Sequence, residues 1–276
     1  RKGSLTLLDG FAELRAQTPE RDPLLLVVGG ATLFDYRDEI GRFEARALEL
    51  GVSEHVRNVG TVSPAELERH YRAADRDALG LGDRLTVLTV GGIEPRKGSL
   101  TLLDGFARLR AQAPELDPLL LIVGGATLFD YRDEIDRFAA RARELGVGEH
   151  VRNVGTVTPA ELERHYRAAD VFAFPSTKEG FGLVALEALA AGLPVVASEI
   201  DVFQTFLRHG HSAQLCPPGD GAALGDCLTR VARDPALRER LVAGGRAVVD
   251  AYGWDTAAAA HEDAYRAFQG DPIGAI

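Results

Sequence analysis

Residues 1–75 and 96–170 are nearly the same sequence. Laid over one another at an offset of 95, they differ at nine of 75 positions, some of them mildly, as in Thr18 against Ala113, Val27 against Ile122 and Ser63 against Thr158. Segments this alike must favour the same local elements, so any difference in role has to come from what flanks them. Solenoid arrays repeat units of roughly 20–50 residues and need at least three of them. One pair at this spacing is a partial duplication.

The flanks are unequal. The second copy follows Leu85-Thr86-Val87-Leu88-Thr89-Val90-Gly91-Gly92, an apolar, β-branched run ending in glycines, which reads as a buried parallel strand. The first copy has no such strand, and after Asp75 the chain turns into Arg76-Asp77-Ala78-Leu79-Gly80-Leu81-Gly82. That polar stretch reads as a linker over 76–84, between a partial duplicate at 1–75 and a main domain at 85–270. The first copy predicts a helix, then a strand at 23–29, a helix at 34–50, a strand at 54–60 and a helix at 64–74. Two strands make a poor independent domain, so it is expected to pack on the main sheet or on a partner. A domain-swapped homo-oligomer is conceivable, because residues 1–75 match residues 96–170.

In the main domain, short apolar runs at 85–91, 118–124, 150–155, 171–174, 194–198 and 213–216 alternate with helical stretches at 99–112, 130–145, 159–168, 181–191 and 221–232. This alternation predicts an α/β fold, a doubly wound Rossmann-like parallel sheet covered on both faces. Ligands of such sheets bind at the carboxyl ends of the strands. Here that means the loops Gly91–Gly98, Gly124–Asp130, Gly155–Pro159 and Pro175–Gly182.

Two of these loops carry chemistry. In Gly91-Gly92-Ile93-Glu94-Pro95-Arg96-Lys97-Gly98, the glycines admit a ligand close to the backbone, while Arg96, Lys97 and the helix start offer donors and positive charge to phosphate oxygens. The alternative is a tight turn before a solvated basic helix start, since the pattern is neither G-x-G-x-x-G nor a Walker A loop. In the other loop, Ser176-Thr177-Lys178-Glu179-Gly180-Phe181-Gly182-Leu183, Glu179 is a carboxylate suited to sugar hydroxyls, and the amides at the helix start suit phosphate or leaving-group charge. Further on, Glu187 stands in an otherwise apolar helix, where an acid usually has a partner. The bland reading makes Glu179 a helix-entry residue favoured by the dipole and Glu187 an exposed helix charge.

The run Glu179-Gly180-Phe181-Gly182-Leu183 continuing to Glu187-Ala188-Leu189, after Ala173-Phe174-Pro175-Ser176 and before Gly192-Leu193-Pro194-Val195, resembles the retaining glycosyltransferases of family four, of GT-B fold. That family's E-x7-E signature is matched by Glu179 and Glu187, and the likeness spans about residues 84–268. It implies a nucleotide-diphosphate sugar as donor substrate, with no other cofactor and no metal. Glu179 would bind the donor sugar, Glu187 the ribose, and Arg96 and Lys97 the diphosphate. Amides near Gly180, Phe181, Gly182 and Leu183 would assist the leaving group, and Thr156 and Val157 would border the base. Many members have Gly-Arg where this chain has Gly91-Gly92, so the missing guanidinium would fall to Arg96. The implied reaction is front-face attack by an unknown acceptor, which needs no enzyme nucleophile. No part of residues 1–276 resembles the family's acceptor-binding domain, so donor binding with little transfer is expected. Competing readings are a non-catalytic nucleotide-sugar-binding module and a sugar-nucleotide epimerase.

A net charge of −10 without a basic block opposes nucleic acid as a partner. No apolar run reaches the eighteen residues of a membrane span, and two cysteines, Cys216 and Cys227, suit a reduced, cytoplasmic setting. Few lysines among many Arg and Ala hint at a GC-rich bacterial source. The abrupt start and absence of Met read as a piece of a longer protein. His209-Gly210-His211 reads as a loop and not a metal site, Phe34/Tyr36 and Phe129/Tyr131 as helix-start packing, and Trp254 either as ordinary packing or as the start of a helix crossing back to a first domain.

Overall fold

The computed structural model describes residues 4–28, 37–60, 63–125 and 132–270. It divides into two compact units, Arg1–Tyr71 and Arg72–Ile276. The first contains α1 (Ser4–Gln17), β1 (Leu25–Val28), α2 (Arg37–Glu49), β2 (Val56–Gly60) and the start of α3 (Pro64–Ala78). Its two strands are parallel, over a small core of Leu8, Phe11, Phe43, Ala47 and Val52.

The second unit runs β3 (Thr86–Val90), α4 (Ser99–Gln112), β4 (Leu119–Val123), α5 (Arg132–Glu144), β5 (Val151–Gly155), α6 (Pro159–Ala168), β6 (Val171–Phe174) and α7 (Leu183–Ala190). It continues with β7 (Val195–Ser198), α8 (Asp201–Gln204), β8 (Gln214–Cys216), α9 (Gly221–Arg233), α10 (Pro235–Ala251) and α11 (Trp254–Gly270). All six strands are parallel, in the order β5-β4-β3-β6-β7-β8. Strand side chains alternate between two buried layers. Leu88, Val90, Leu121, Val123, Phe172, Phe174 and Ala197 enter one, and Val87, Leu120, Ile122, Val171, Ala173 and Val196 the other. A sheet apolar on both faces needs helices on both, which makes this the expected doubly wound α/β fold.

The duplicated segments build the same local geometry. Leu25 pairs with Val56 and the register slips between Val27 and Val28; 95 residues later Leu120 pairs with Val151, with the slip between Ile122 and Val123. Asp22 and Asp117 share a left-handed backbone, at φ 42° and 40°.

Three expectations change. The linker at 76–84 does not begin as a loop: α3 continues through Ala78, because Arg76-Asp77-Ala78 are compatible with helix, whereas α6 ends at Ala168, the counterpart of Ala73, before Ala169-Asp170 and β6. Nor is the stretch loose, since the Arg76 guanidinium donates to the carbonyls of Gly82, Arg84 and Ala168 and to Asp170, using all of its donors. The helix expected from residue 181 starts at Leu183, because Gly182 adopts φ 95° and stops helical backbone from extending N-terminally. Finally, α8 and α10 were not anticipated. The expected helix-start aromatics Phe34, Tyr36, Phe129 and Tyr131 lie outside the described residues. No helix among the described residues is long and apolar enough to cross a membrane.

Candidate functional site

From β3 the chain winds outward through β4 and β5, then returns to β6 and winds the other way. The neighbours β3 and β6 therefore form the switch point, where the loops leaving their carboxyl ends part and open a crevice. Both candidate loops leave these two strands. They are joined backbone to backbone: the Thr177 N–H donates to the Arg96 carbonyl at 2.8 Å. Gly98, at φ 69°, lies so close to the second loop that a Cβ there would be 2.1 Å from the Pro175 carbonyl oxygen. Gly124 at the end of β4 has the same intimacy with Gly91, its Cβ position falling 2.6 Å from the Gly91 carbonyl carbon.

The join brings the expected charges together. Lys97 Nζ lies 2.7 Å from Glu179 Oε1, with the two side chains 16% and 8% exposed. The Ser176 hydroxyl donates to the same oxygen at 2.9 Å, and Lys97 Nζ sits 5.0 Å from the centre of the Phe174 ring. Arg96, more exposed, reaches Glu179 Oε2 at 3.6 Å and Glu94 Oε2 at 2.9 Å. A nearly buried carboxylate is costly without partners; Glu179 has two cations and a hydroxyl. Lys97 borders a small space, about 10 Å³, that Gly91, Gly92 and Ser99 also line. Lys97 is paired with Glu179, and Arg96 lies between Glu179 and Glu94.

The second acid is placed differently. Glu187 is exposed on α7 and its Oε2 accepts the Tyr166 hydroxyl at 2.8 Å. Burial first, and then the bond to Glu187, push the Tyr166 phenol well above its ordinary value, so the hydroxyl remains a donor. None of the hydrogen bonds or ion pairs of Glu187 reaches Lys97, Arg96 or Glu179.

At the start of α7 no side chain caps the helix, leaving amides of the first turn without a side-chain acceptor. Gly182 is required there, since a Cβ would fall 2.6 Å from the Phe203 ring. Phe181 stacks on Phe206 at 5.8 Å and meets Tyr252 edge-on; Gly180 and Leu183 are exposed. Thr156 follows β5, and its Oγ1 would be 2.0 Å from a Cβ on Gly125, while Val157 packs on the core.

Sequence reasoning passed over Glu94, Ser99, Ser176 and Tyr166. Only Glu94 carried a signal, an acid next to a basic pair in a glycine loop. Outside the crevice, His209 Nδ1 accepts the Leu215 N–H, which makes it a turn residue. Cys216 and Cys227 are free thiols. No cluster of three or more metal-ligating side chains occurs among the described residues. A wider cleft, about 460 Å³, lies at the opposite ends of the strands against α10, away from the paired charges.

A parallel sheet wound on both faces, with paired charges at its switch point, defines a Rossmann-like domain of the kind that GT-B enzymes use. The sequence pattern of the family described as Glycosyl transferases group 1 matches residues 74–248, and the chain belongs to that family. It is 41% identical over 175 residues to the phosphatidyl-myo-inositol mannosyltransferase of Mycobacterium leprae, covering 63% of this chain and 44% of that protein. Among solved structures, sucrose-phosphate synthase from Thermosynechococcus elongatus superposes with a TM-score of 0.62 at 30% identity, over 88% of this chain and 58% of its own. Anabaena HepE in complex with UDP and glucose superposes at 0.63 and 21% identity, over 95% and 66%, a likeness of fold. The chain spans less than half the length of that Mycobacterium leprae protein.

Proposed function

We propose that the second unit binds a nucleotide-diphosphate sugar at the carboxyl ends of β3 and β6 and presents it for glycosyl transfer with retention. The observation that carries this reading is the Lys97–Glu179 pair, which unites the two loops at the switch point of a glycosyltransferase-family domain. In this reading Lys97 and Arg96 turn from Glu179 to the diphosphate, and Glu179 accepts hydrogen bonds from sugar hydroxyls. The open first turn of α7, at Phe181, Gly182 and Leu183, stabilises charge on the departing phosphate. Glu187, oriented by Tyr166, takes the ribose hydroxyls, and Thr156 and Val157 flank the base.

Front-face attack by the acceptor, with the donor phosphate as base, asks the protein for position and electrostatics and not for a nucleophile. These residues supply the donor side only, so we expect binding with little transfer. Calorimetry of the chain with UDP-, GDP- and ADP-sugars tests the reading. One donor class should bind, and Lys97→Ala should weaken it about tenfold or more, the scale of a lost charge-assisted contact. Failure of every donor to bind, or a Lys97→Ala protein that binds as wild type does, would overturn it.

A further inference from the structure

We propose that Glu94 is a positioning residue that holds the Arg96 guanidinium at the mouth of the crevice. This rests on the donor-binding reading above. The Glu94 side chain is 2% exposed, and among the described residues neither carboxylate oxygen takes a well-aligned hydrogen bond. Among the described residues its one ion pair is with Arg96 Nε, 2.9 Å from Oε2, which is not aligned as a hydrogen bond.

The backbone around it is clamped. The Glu94 N–H donates to Ser99 Oγ at 2.9 Å and the Ser99 hydroxyl returns a bond to the Glu94 carbonyl at 3.0 Å, while the Arg96 carbonyl is held by Thr177. With both main chains fixed, the buried carboxylate holds the Nε side of the guanidinium and leaves NH1 turned toward Glu179, 3.6 Å away. Gly92 leaves the room this needs, since a Cβ there would lie 3.4 Å from Glu94 Oε1 and 2.9 Å from the Gly125 carbonyl oxygen. A long cationic side chain at residue 92 would have to pass both. Arg96 thus approaches the crevice from the far end of the loop, steered by a buried acid.

The test compares Glu94→Gln, Arg96→Ala and the double variant by calorimetry, using whichever of UDP, GDP and ADP wild type binds, and the matching monophosphate. Each single variant should lose about tenfold in diphosphate affinity, hold monophosphate affinity within about twofold, and the double variant should be no weaker than Arg96→Ala. Equal loss of both nucleotides in Glu94→Gln, unchanged or tighter diphosphate binding, or additive losses overturns the role of Glu94 while leaving the donor site standing. If wild type binds none of the three diphosphates, the donor site falls and this inference with it. Should Glu94→Gln melt early, Arg96→Ala still decides: undiminished preference for diphosphate over monophosphate in that variant refutes the proposal.

Discussion

Replacing Gly98 by alanine tests whether the two loops are joined rigidly. Gly98 sits at φ 69° and ψ 35°, a region that costs an L-residue about 1 kcal/mol. The added Cβ would also stand 2.1 Å from the Pro175 carbonyl oxygen and 3.0 Å from its carbon. Both are backbone atoms and cannot rotate away, so the loop after β6 must shift, an overpacking cost of about 1–3 kcal/mol. The expected total is about 2–4 kcal/mol, or a fall in Tm of about 4–16 °C for a domain of this size. Gly146→Ala is the control: φ is 66° with nothing within 4 Å of its Cβ, so it carries the strain of about 1 kcal/mol alone. Urea denaturation of the two variants measures the difference. If Gly98→Ala is no worse than Gly146→Ala by more than about 0.5 kcal/mol, the Pro175 loop yields freely. The backbone then does not enforce the Lys97–Glu179 pair, and the argument for a prebuilt crevice fails.

Two further outcomes follow from neighbours. Gly10 and Gly105 are matching helix positions, but a Cβ on Gly10 meets nothing within 4 Å whereas one on Gly105 falls 2.8 Å from Leu224. Gly10→Ala should therefore protect α1 by about 0.5–1 kcal/mol through helix propensity, and Gly105→Ala should cost α4 about 1–2 kcal/mol through overpacking. Hydrogen exchange on the two helices reads each separately, and the same sign at both would refute the packing difference. Burial pushes the Cys216 thiol up to about 12 and raises that of Cys227, so at pH 8 both should react with a disulfide reagent far more slowly in the folded than in the urea-unfolded protein. Above the ordinary thiol value of 9.0 the unfolded chain releases the Cys216 proton first, so folding should weaken by about 1.4 kcal/mol per pH unit from that group. Stability that is flat from pH 9 upward would contradict it.

The fold was legible because a strand buried on both faces leaves a plain trace. Runs such as Leu119–Val123 and Val171–Phe174 are apolar throughout and bounded by glycine, proline or polar residues. The proximity of Lys97 and Glu179 was legible only through topology, since 82 residues separate them and no local pattern links them. What placed them together is the rule that the switch point gathers the loops after two adjacent strands. The partners that tune the site were not legible. Tyr166 reaches Glu187 from α6, and Ser99 clamps Glu94 across a turn. Such contacts depend on side-chain direction, which spacing does not encode. The start of α7 was misjudged for a related reason: the positive φ of Gly182 answers to the Phe203 ring, which lies on another element.

The duplicated segments separate what local sequence decides from what tertiary context decides. Strand register, the slip within it and the left-handed aspartate are the same in both, so they belong to the segment. Burial does not. Leu7, Leu14 and Leu24 are 49%, 47% and 52% exposed, while the matching Leu102, Leu109 and Leu119 are 3%, 0% and 2% exposed. In the second unit β3 pairs along β4 and α9 packs on α4, supplying the surface that these leucines meet. The chemistry follows the same division. Glu94, Glu179 and Glu187 all lie outside the repeated residues, on loops and a helix that flank the second copy. In the second unit the loops after β3 and β6 bring Lys97 and Glu179 together, a meeting that the repeated residues by themselves do not encode.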